Sequence, residues 1–196
     1  MFLHEKGLRI PAVDLDLMSG ENREAAFMAK NPAGQLPALE LDDGRTIAES
    51  VAICELLEDL HPQPALIGST PAEKAETRMW QRRIEFGITE NIFNGWRFSE
   101  GRPFWEKRGR VIPEAADGLK ATARDKLVWL DGLMGDRPFV AGDRFTLADI
   151  LLLVGLDFAT VVGQRPEDGL ANLSRWRSRM AARPSTEASL RAPDPP

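Results

Sequence analysis

The chain has 196 residues, of which 43% are hydrophobic, and it carries a formal net charge of -5. This size and composition suit one domain or two small packed domains. The acidic balance argues against binding to a nucleic-acid backbone, which needs a surplus of Lys and Arg. The single cysteine, Cys54, excludes an internal disulfide. Without a secretory signal or an apolar run of membrane-spanning length, the sequence predicts a cytoplasmic protein that does not enter a membrane.

Residues 1–62 alternate between strand and helix patterns and predict a small α/β domain. Apolar side chains at every second position from Val13 to Leu17 are typical of a half-buried strand. The residue before Pro32 avoids helical geometry, so the helix that precedes this proline should end there. The predicted elements are a strand over residues 10–17, a helix over 21–30, strands over 39–41 and 46–48, and a helix over 51–60.

The rest of the chain is predicted to be helical. Residues 63–70 contain Pro64 and Gly68 and few apolar anchors, which suits a linker. An all-helical domain is then predicted over residues 71–190, followed by a proline-rich tail, residues 191–196, that we expect to be disordered. Four helices are predicted in this domain, over residues 71–96, 119–134, 146–162 and 170–183.

Two short motifs carry the chemistry of the first domain. Gln35 and Leu36 precede Pro37 at the mouth of a strand, where a cis peptide is plausible because cis bonds are largely restricted to X–Pro. The Leu36 backbone N–H and C=O could then pair with a short peptide ligand as an added strand does. Glu49 and Ser50 stand at a helix start, where Ser is a preferred N-cap, free N–H groups bind a carboxylate and Glu49 could hold an amine.

The order Gln-Leu-Pro, hairpin, Glu-Ser resembles the glutathione-binding half of the glutathione transferases. The resemblance implies that the residue before the cis-proline, Leu36, pairs with the cysteinyl backbone of glutathione. It implies that Glu49 and Ser50 hold the γ-glutamyl end, and that Gln35 lies near the glycine end or the cysteinyl part. It also implies a thioredoxin-like N-terminal domain followed by an all-helical C-terminal domain.

The second half of the chain supports the same resemblance. Thr146 and Asp149 are spaced as a capping box, in which each side chain satisfies a backbone N–H of the other residue. Phe145 and Ile150 would form the hydrophobic staple around this cap. The motif resembles the cap of the central helix in the family's helical domain, and residues 173–184 resemble the family's last main helix.

The chain departs from the family at its start. Residues 1–7 look like the end of the first helix of the thioredoxin-like domain, so the first strand and the start of that helix are absent. Residues 12–17 would therefore lose their pairing partner. The family's thiol-activating Tyr, Ser or Cys would lie in the absent piece, which leaves the catalytic residue unknown. Either the start codon was assigned too late, which we favour because the rest of the glutathione site is intact, or the protein is a shortened relative without activity.

Other candidate residues have weaker support. Cys54 lies on an apolar helix stripe and fits a small core residue better than a nucleophile. His4 and His61 have no neighbour at metal-ligand spacing, so no metal is predicted. Four aromatic residues could line a pocket for an apolar co-substrate or could be core residues between helices. They are Trp80, Phe86, Phe93 and Trp96.

The resemblance implies an enzyme that transfers glutathione, as co-substrate, to an apolar electrophile, as in detoxification. It also implies a homodimer in which the α/β half of one chain faces the helices of the other. Two alternatives stay open. One is a non-catalytic transferase-like module for interaction or ligand binding, and the other is a glutathione-dependent isomerase or dehalogenase.

Overall fold

The structure is a computed structural model, and it describes residues 1–190. The predicted tail, residues 191–196, lies outside the described residues. Two compact units are formed by Met1–Ala65 and Leu66–Ala188. The first is a small α/β unit and the second is all helical, which confirms the predicted fold class.

The first unit is built around one hairpin and one helix. Strand β1 pairs antiparallel with β2, with Ala38 opposite Ala48 and Glu40 opposite Thr46. Gly44, at φ 83°, provides the left-handed backbone that the connecting turn requires. The predicted hairpin is therefore formed, with its first strand one residue earlier than expected. The elements of the unit are α1 (Phe2–Glu5), α2 (Ala25–Lys30), β1 (Ala38–Glu40), β2 (Thr46–Ala48) and α3 (Ser50–Leu60).

The strand predicted over residues 10–17 is not formed. Residues 8–16 have no regular secondary structure, and Val13 is 88% exposed although its pattern predicted burial. The sheet formed by residues 1–190 contains only β1 and β2, so it offers no partner to this segment. A strand exists only when its backbone groups are paired, and alternating side chains cannot replace that pairing. The helix expected from residue 21 is also shorter, because Glu21–Arg23 forms a 3-10 turn before α2.

A buried ion pair holds the end of α3. The Lys6 ammonium contacts the Glu58 carboxylate, and both side chains are almost completely buried. The same ammonium donates to the backbone C=O of His61 at 2.7 Å and of Pro64 at 2.6 Å. All three donors of Lys6 are thus directed at oxygen acceptors, which offsets the cost of burying its charge.

The second unit begins with a long helical path. Helix α4 (Pro71–Ile84) starts at a Thr70–Glu73 capping box and continues through a π-helical turn, Glu85–Thr89, into α5 (Glu90–Arg97). The predicted helix over residues 71–96 is confirmed, with the π-turn as an added feature. The remaining helices are α6 (Arg102–Trp105), α7 (Ala116–Met134), α8 (Leu147–Val161), α9 (Ala171–Ala181) and α10 (Pro184–Ser189).

Helix α8 is the centre of the second unit, as predicted. Seven of its apolar residues are buried, and they are Leu147, Ala148, Ile150, Leu152, Leu153, Leu156 and Ala159. Its Gly155 lies against the π-turn, where a Cβ would come within 2.4 Å of the Thr89 methyl group. The close approach of the two helices therefore requires glycine at this position. None of the helices formed by residues 1–190 combines the length and the apolar character that crossing a membrane requires.

The capping box of α8 is larger than the sequence indicates. The Asp149 carboxylate accepts the Thr146 backbone N–H at 2.9 Å and the Thr146 hydroxyl at 3.2 Å. It also accepts the Val140 N–H at 2.9 Å and the Trp176 indole N–H at 2.8 Å. Burial raises the pKa of Asp149, while the hydrogen bonds from Val140, Trp176 and Thr146 act in the opposite direction. One carboxylate thus joins α8 to α9 and to the preceding loop.

Candidate functional site

The loop that carries the Gln-Leu-Pro motif is held by a buried asparagine. The Asn31 side chain donates to the Gln35 C=O at 2.8 Å and accepts the Ala33 N–H at 3.1 Å. The Asn31 backbone C=O accepts the Gly34 N–H at 2.8 Å. This single residue therefore closes the turn from both sides and fixes the chain just before Leu36.

A second buried asparagine supports the same loop. Asn22 donates its side-chain amide to the Gly34 C=O at 2.6 Å. Gly34 has φ 60°, and a Cβ there would lie 2.9 Å from Nη1 of Arg23 and 3.0 Å from Sδ of Met28. Sequence reasoning missed Asn22 and Asn31, although the affinity of Asn for turns was a signal for the second, which stands beside a proline and near Gly34.

The Leu36–Pro37 peptide bond is cis, as predicted. The Leu36 side chain is 40% exposed, and Gln35 and Pro37 are also at the surface. Within residues 1–190, neither the backbone N–H nor the C=O of Leu36 has a hydrogen-bond partner. Both groups are therefore open to the backbone of a ligand.

Glu49 has an unusual backbone. Its φ of 68° and ψ of 117° make it the only non-glycine residue with positive φ in the described part of the chain. Such conformations cost about 1–3 kcal/mol and occur most often at functional sites. The Glu49 C=O accepts the Ile53 N–H at 3.0 Å, so this strained residue is also the start of the α3 hydrogen-bond ladder.

The predicted N-cap role of Ser50 is wrong. Helix α3 begins at Ser50, and the N-cap position is Glu49, whose side chain makes no capping hydrogen bond. The reason is that the turn into α3 occurs at the Glu49 backbone, one residue earlier than the sequence pattern indicates. Because both side chains are exposed and neither caps the helix, the Ser50 hydroxyl and the Glu49 carboxylate are both accessible to a ligand.

The hairpin brings the two motifs together. The antiparallel register sets Ala38 opposite Ala48, and Pro37 directly precedes Ala38 as Glu49 directly follows Ala48. Both motifs therefore lie at the same end of the β1–β2 pair. Here an open peptide backbone adjoins a helix N-terminus, which favours a carboxylate, and a free side-chain carboxylate, which favours an amine.

Local charge matters because the first unit is acidic. Residues 1–65 contain 5 Lys and Arg against 12 Asp and Glu, a net charge of -7. A ligand with carboxylates needs positive groups within this background. The N-terminus of α3 is one such group, and the Arg23 guanidinium beside Gly34 is another.

The structure argues against Cys54 as a nucleophile. The side chain is partly covered on α3, and burial raises the pKa of its thiol to about 12. The thiol therefore keeps its proton at neutral pH, whereas a reactive cysteine needs the thiolate. Residues 1–7 contain no Tyr, Ser or Cys that could activate a bound thiol.

The four aromatic candidates of the second unit separate into three environments. Trp80 is a core residue, whereas Phe86 is 56% exposed, with the Arg82 guanidinium 3.6 Å from its ring. Phe93 and Trp96 are half-buried and pack on Phe158, with ring centroids 4.2 and 5.4 Å away. Of the four candidates, Phe93 and Trp96 are the two that combine partial burial with an aromatic cluster, which suits an apolar ligand. Residues 1–190 hold no group of three or more His, Cys, Asp or Glu side chains placed to bind a metal ion.

Comparison with known proteins gives consistent matches along the chain. The family model described as "Glutathione S-transferase, N-terminal domain" matches residues 1–60, and that described as "Glutathione S-transferase, C-terminal domain" matches residues 111–184. Glutathione S-transferase 2 of Saccharomyces cerevisiae is 35% identical over 182 residues, which cover 91% of this chain and 76% of the yeast protein.

Two further relatives extend the comparison. Maleylacetoacetate isomerase of Pseudomonas aeruginosa is 32% identical over 157 residues, covering 76% of this chain and 68% of the isomerase. The crystal structure of a glutathione S-transferase domain-containing protein from Marinobacter aquaeolei superposes with a TM-score of 0.89 at 36% identity. That match covers 94% of this chain and 91% of the Marinobacter chain.

Proposed function

Because the chain belongs to the glutathione S-transferase family, we propose that the site at the end of the β1–β2 hairpin binds glutathione. The open N–H and C=O of Leu36 pair with the cysteinyl backbone. The Ser50 hydroxyl and the α3 N-terminus hold the γ-glutamyl carboxylate, and Glu49 holds the amine beside it. The observation that carries this proposal is the strained Glu49 backbone at the same end of the hairpin as the open Leu36 peptide.

The glycine end of glutathione remains to be assigned within this site. Gln35 directly precedes Leu36, and its backbone C=O accepts the hydrogen bond from the Asn31 side chain. The exposed Arg23 guanidinium lies against Gly34 of the same loop. We assign the glycine carboxylate to Arg23 and a polar contact to Gln35, because a carboxylate is bound best by a planar guanidinium.

Isothermal titration with glutathione tests the site. Ser50→Ala should weaken binding by about 1–3 kcal/mol, the cost of losing a hydrogen bond to a charged group. Ser69→Ala is the matched control, since Ser69 is also exposed, lies just before a helix and uses only its backbone N–H. Equal dissociation constants for wild type and Ser50→Ala would show that the site is placed wrongly.

The proposed reaction is transfer of glutathione to an apolar electrophile. The glutathione thiol gives up its proton to solvent, its sulfur attacks the electrophilic carbon to form the new C–S bond, and the leaving group departs with the electron pair of the broken bond. The half-buried cluster of Phe93, Trp96 and Phe158 supports binding of the apolar partner by the helical unit. Turnover of a chloronitrobenzene, followed by absorbance, tests this step, and a protein that binds glutathione without turnover would favour the non-catalytic module.

An isomerase is the second candidate reaction. The relative from Pseudomonas aeruginosa is named for the isomerisation of maleylacetoacetate, and it is 32% identical to this chain. In such a reaction glutathione adds to the substrate and leaves again, so it is not consumed. Measuring whether glutathione disappears during turnover separates isomerisation from conjugation.

We also propose that the protein is a homodimer. Residues 1–65 carry a net charge of -7, whereas residues 66–188, with 19 Lys and Arg against 17 Asp and Glu, carry +2. Opposite charge favours docking of the first unit of one copy on the second unit of another. Helices α4 and α7 and the π-turn expose apolar side chains that a partner could cover, namely Met79, Phe86, Val128, Trp129 and Leu133.

The oligomeric state is tested by light scattering on the eluate of a sizing column. Trp129→Glu should give monomers, because it places a charge in the apolar surface that the partner would bury. Val161→Glu is the control, since Val161 is exposed on α8 outside this surface. A monomeric wild-type protein would overturn the proposal. A cytoplasmic location likewise remains a proposal, to be tested by fractionation of cells.

A further inference from the structure

Arg97 and Trp105 form a stacked pair in the helical unit. Arg97 is the last residue of α5 and Trp105 the last of α6, and the centre of the guanidinium lies 4.2 Å from the centroid of the indole ring. The Arg97 Nη1 donates to Oδ1 of Asn94 at 2.9 Å. Stacking and this hydrogen bond together hold the guanidinium in one orientation.

Two donors of this pair have no acceptor. Nε of Arg97 and Nε1 of Trp105 are both buried, and within residues 1–190 neither has a hydrogen-bond partner. A buried N–H without an acceptor costs about 1–3 kcal/mol. Two such groups on stacked side chains indicate that an acceptor belongs between or beside them.

The charge of Arg97 also lacks a counterion. In the described part of the chain, no carboxylate lies within ion-pair distance of its guanidinium. Asn94 stands between Arg97 and Glu90, accepting from the guanidinium and donating to the carboxylate. The neighbouring carboxylates have other partners, since Glu100 binds Lys120 at 2.6 Å and Glu106 binds Arg102 at 3.0 Å. A half-buried guanidinium that no carboxylate neutralises attracts an anion.

The surroundings of the pair are aromatic. The Phe104 ring lies 5.4 Å from the Trp105 ring in an edge-to-face arrangement, and the Arg108 guanidinium lies 3.8 Å from the Phe104 ring. Both aromatic side chains are half-buried, so part of each ring faces solvent. Such a wall favours an apolar planar group next to the anion.

From these observations we propose that Arg97 and Trp105 form a binding site for an aromatic carboxylate. The carboxylate accepts the Arg97 Nε–H and the Trp105 Nε1–H, and the aromatic ring of the ligand packs on Phe104. The half-buried indole moves aside when the ligand binds, and the hydrogen bond to Asn94 keeps the guanidinium in place. This site uses only residues of α5, α6 and their connection. It is separate from the proposed glutathione site, and it binds its ligand in the absence of glutathione.

The test is a titration with sodium benzoate, without glutathione, at ionic strength held constant with sodium chloride. The chain has 5 tryptophans, and the indole ¹H–¹⁵N resonance of Trp105 is identified by its loss in Trp105→Phe. A saturable shift of this resonance is expected. Arg97→Met should raise the dissociation constant for benzoate at least about tenfold, as for loss of a charged hydrogen bond.

Two further variants keep the test decisive. Arg110→Met is the control, since Arg110 is exposed and its loss changes the net charge equally; it should leave benzoate binding unchanged. Arg97→Lys keeps the charge and the fold but lacks Nε, so it should bind more weakly than wild type. The proposal is overturned by an immobile Trp105 resonance, by equal binding in Arg97→Lys, or by acetate or chloride alone producing the same saturable shift.

Discussion

Asp149→Ala is the sharpest test of how the helical unit is held together. The carboxylate accepts four hydrogen bonds, from two backbone N–H groups, the Thr146 hydroxyl and the Trp176 indole. The substitution leaves three buried N–H groups without an acceptor, and each costs about 1–3 kcal/mol. Removing a desolvated carboxylate returns part of this cost, so we expect a net loss of about 3–5 kcal/mol, as for breaking a buried polar network.

Urea unfolding followed by circular dichroism at the helical minimum measures this loss. The midpoint should fall while the slope of the transition stays the same, because the surface exposed on unfolding is unchanged. Asp143→Ala is the control, since Asp143 is exposed and lies in the same loop, and it should change stability by less than about 0.5 kcal/mol.

Asp149→Asn separates hydrogen-bond direction from charge. Both carboxylate oxygens accept donors, so either orientation of the amide sets its NH₂ against an N–H group. The Asn variant should therefore be destabilised nearly as much as the Ala variant. Loss of an exposed helix cap costs about 1 kcal/mol. A smaller loss of stability in Asp149→Ala, or full stability in Asp149→Asn, would show that this carboxylate does not join α8 to α9.

Three further predictions follow from the first unit. Burial raises the pKa of Cys54 to about 12, so the native thiol should resist iodoacetamide at pH 8 and should react once urea unfolds the chain. The unfolded thiol loses its proton near pH 8.5, so the free energy of unfolding should fall as the pH rises from there towards 12. This fall should be smaller in Cys54→Ser. Lys6→Met takes the ammonium from buried Glu58 and should cost about 3–5 kcal/mol in urea unfolding, against less than about 1 kcal/mol for the exposed Lys30→Met control. Asn31→Ala frees the Gln35 C=O and should weaken glutathione binding in calorimetry by about 1–3 kcal/mol, an effect that an unchanged dissociation constant would rule out.

Local patterns in the sequence predict the parts of this fold that local forces determine. The hairpin follows from its turn chemistry around Gly44, and α8 follows from its apolar run and from the Thr146 and Asp149 cap. In each of these cases the residues that interact are only a few positions apart. Spacing along the chain is then enough to identify the element and its ends.

The features that the sequence did not reveal depend on distant partners. The alternation of Val13 and Leu17 predicts a strand, but whether that strand forms depends on a neighbour in the sheet, which residues 1–190 do not supply. Trp176 is 27 positions from the carboxylate that it binds. Asn22 acts on Gly34 through a loop, 12 positions away. No periodicity connects such pairs, so only the folded chain shows them.

The backbone geometry at the start of α3 was not predicted from the sequence. Ser50 was expected to cap α3, but the N-cap position falls on Glu49, which takes a positive φ, and Ser50 is the first residue of the helix. The Ser50 side chain is therefore not engaged in capping the helix. Sequence patterns could not show this, because Ser is favoured at the N-cap in general.

The proposed glutathione binding and the activation of its thiol can be tested separately. The residues proposed to bind glutathione, from Arg23 to Ser50, lie outside residues 1–7, and buried Asn22 and Asn31 hold the loop between them. Affinity for glutathione therefore tests these binding residues alone, whereas turnover also requires the group that activates the thiol. A protein that binds glutathione but shows no turnover would lack thiol activation and not the binding site.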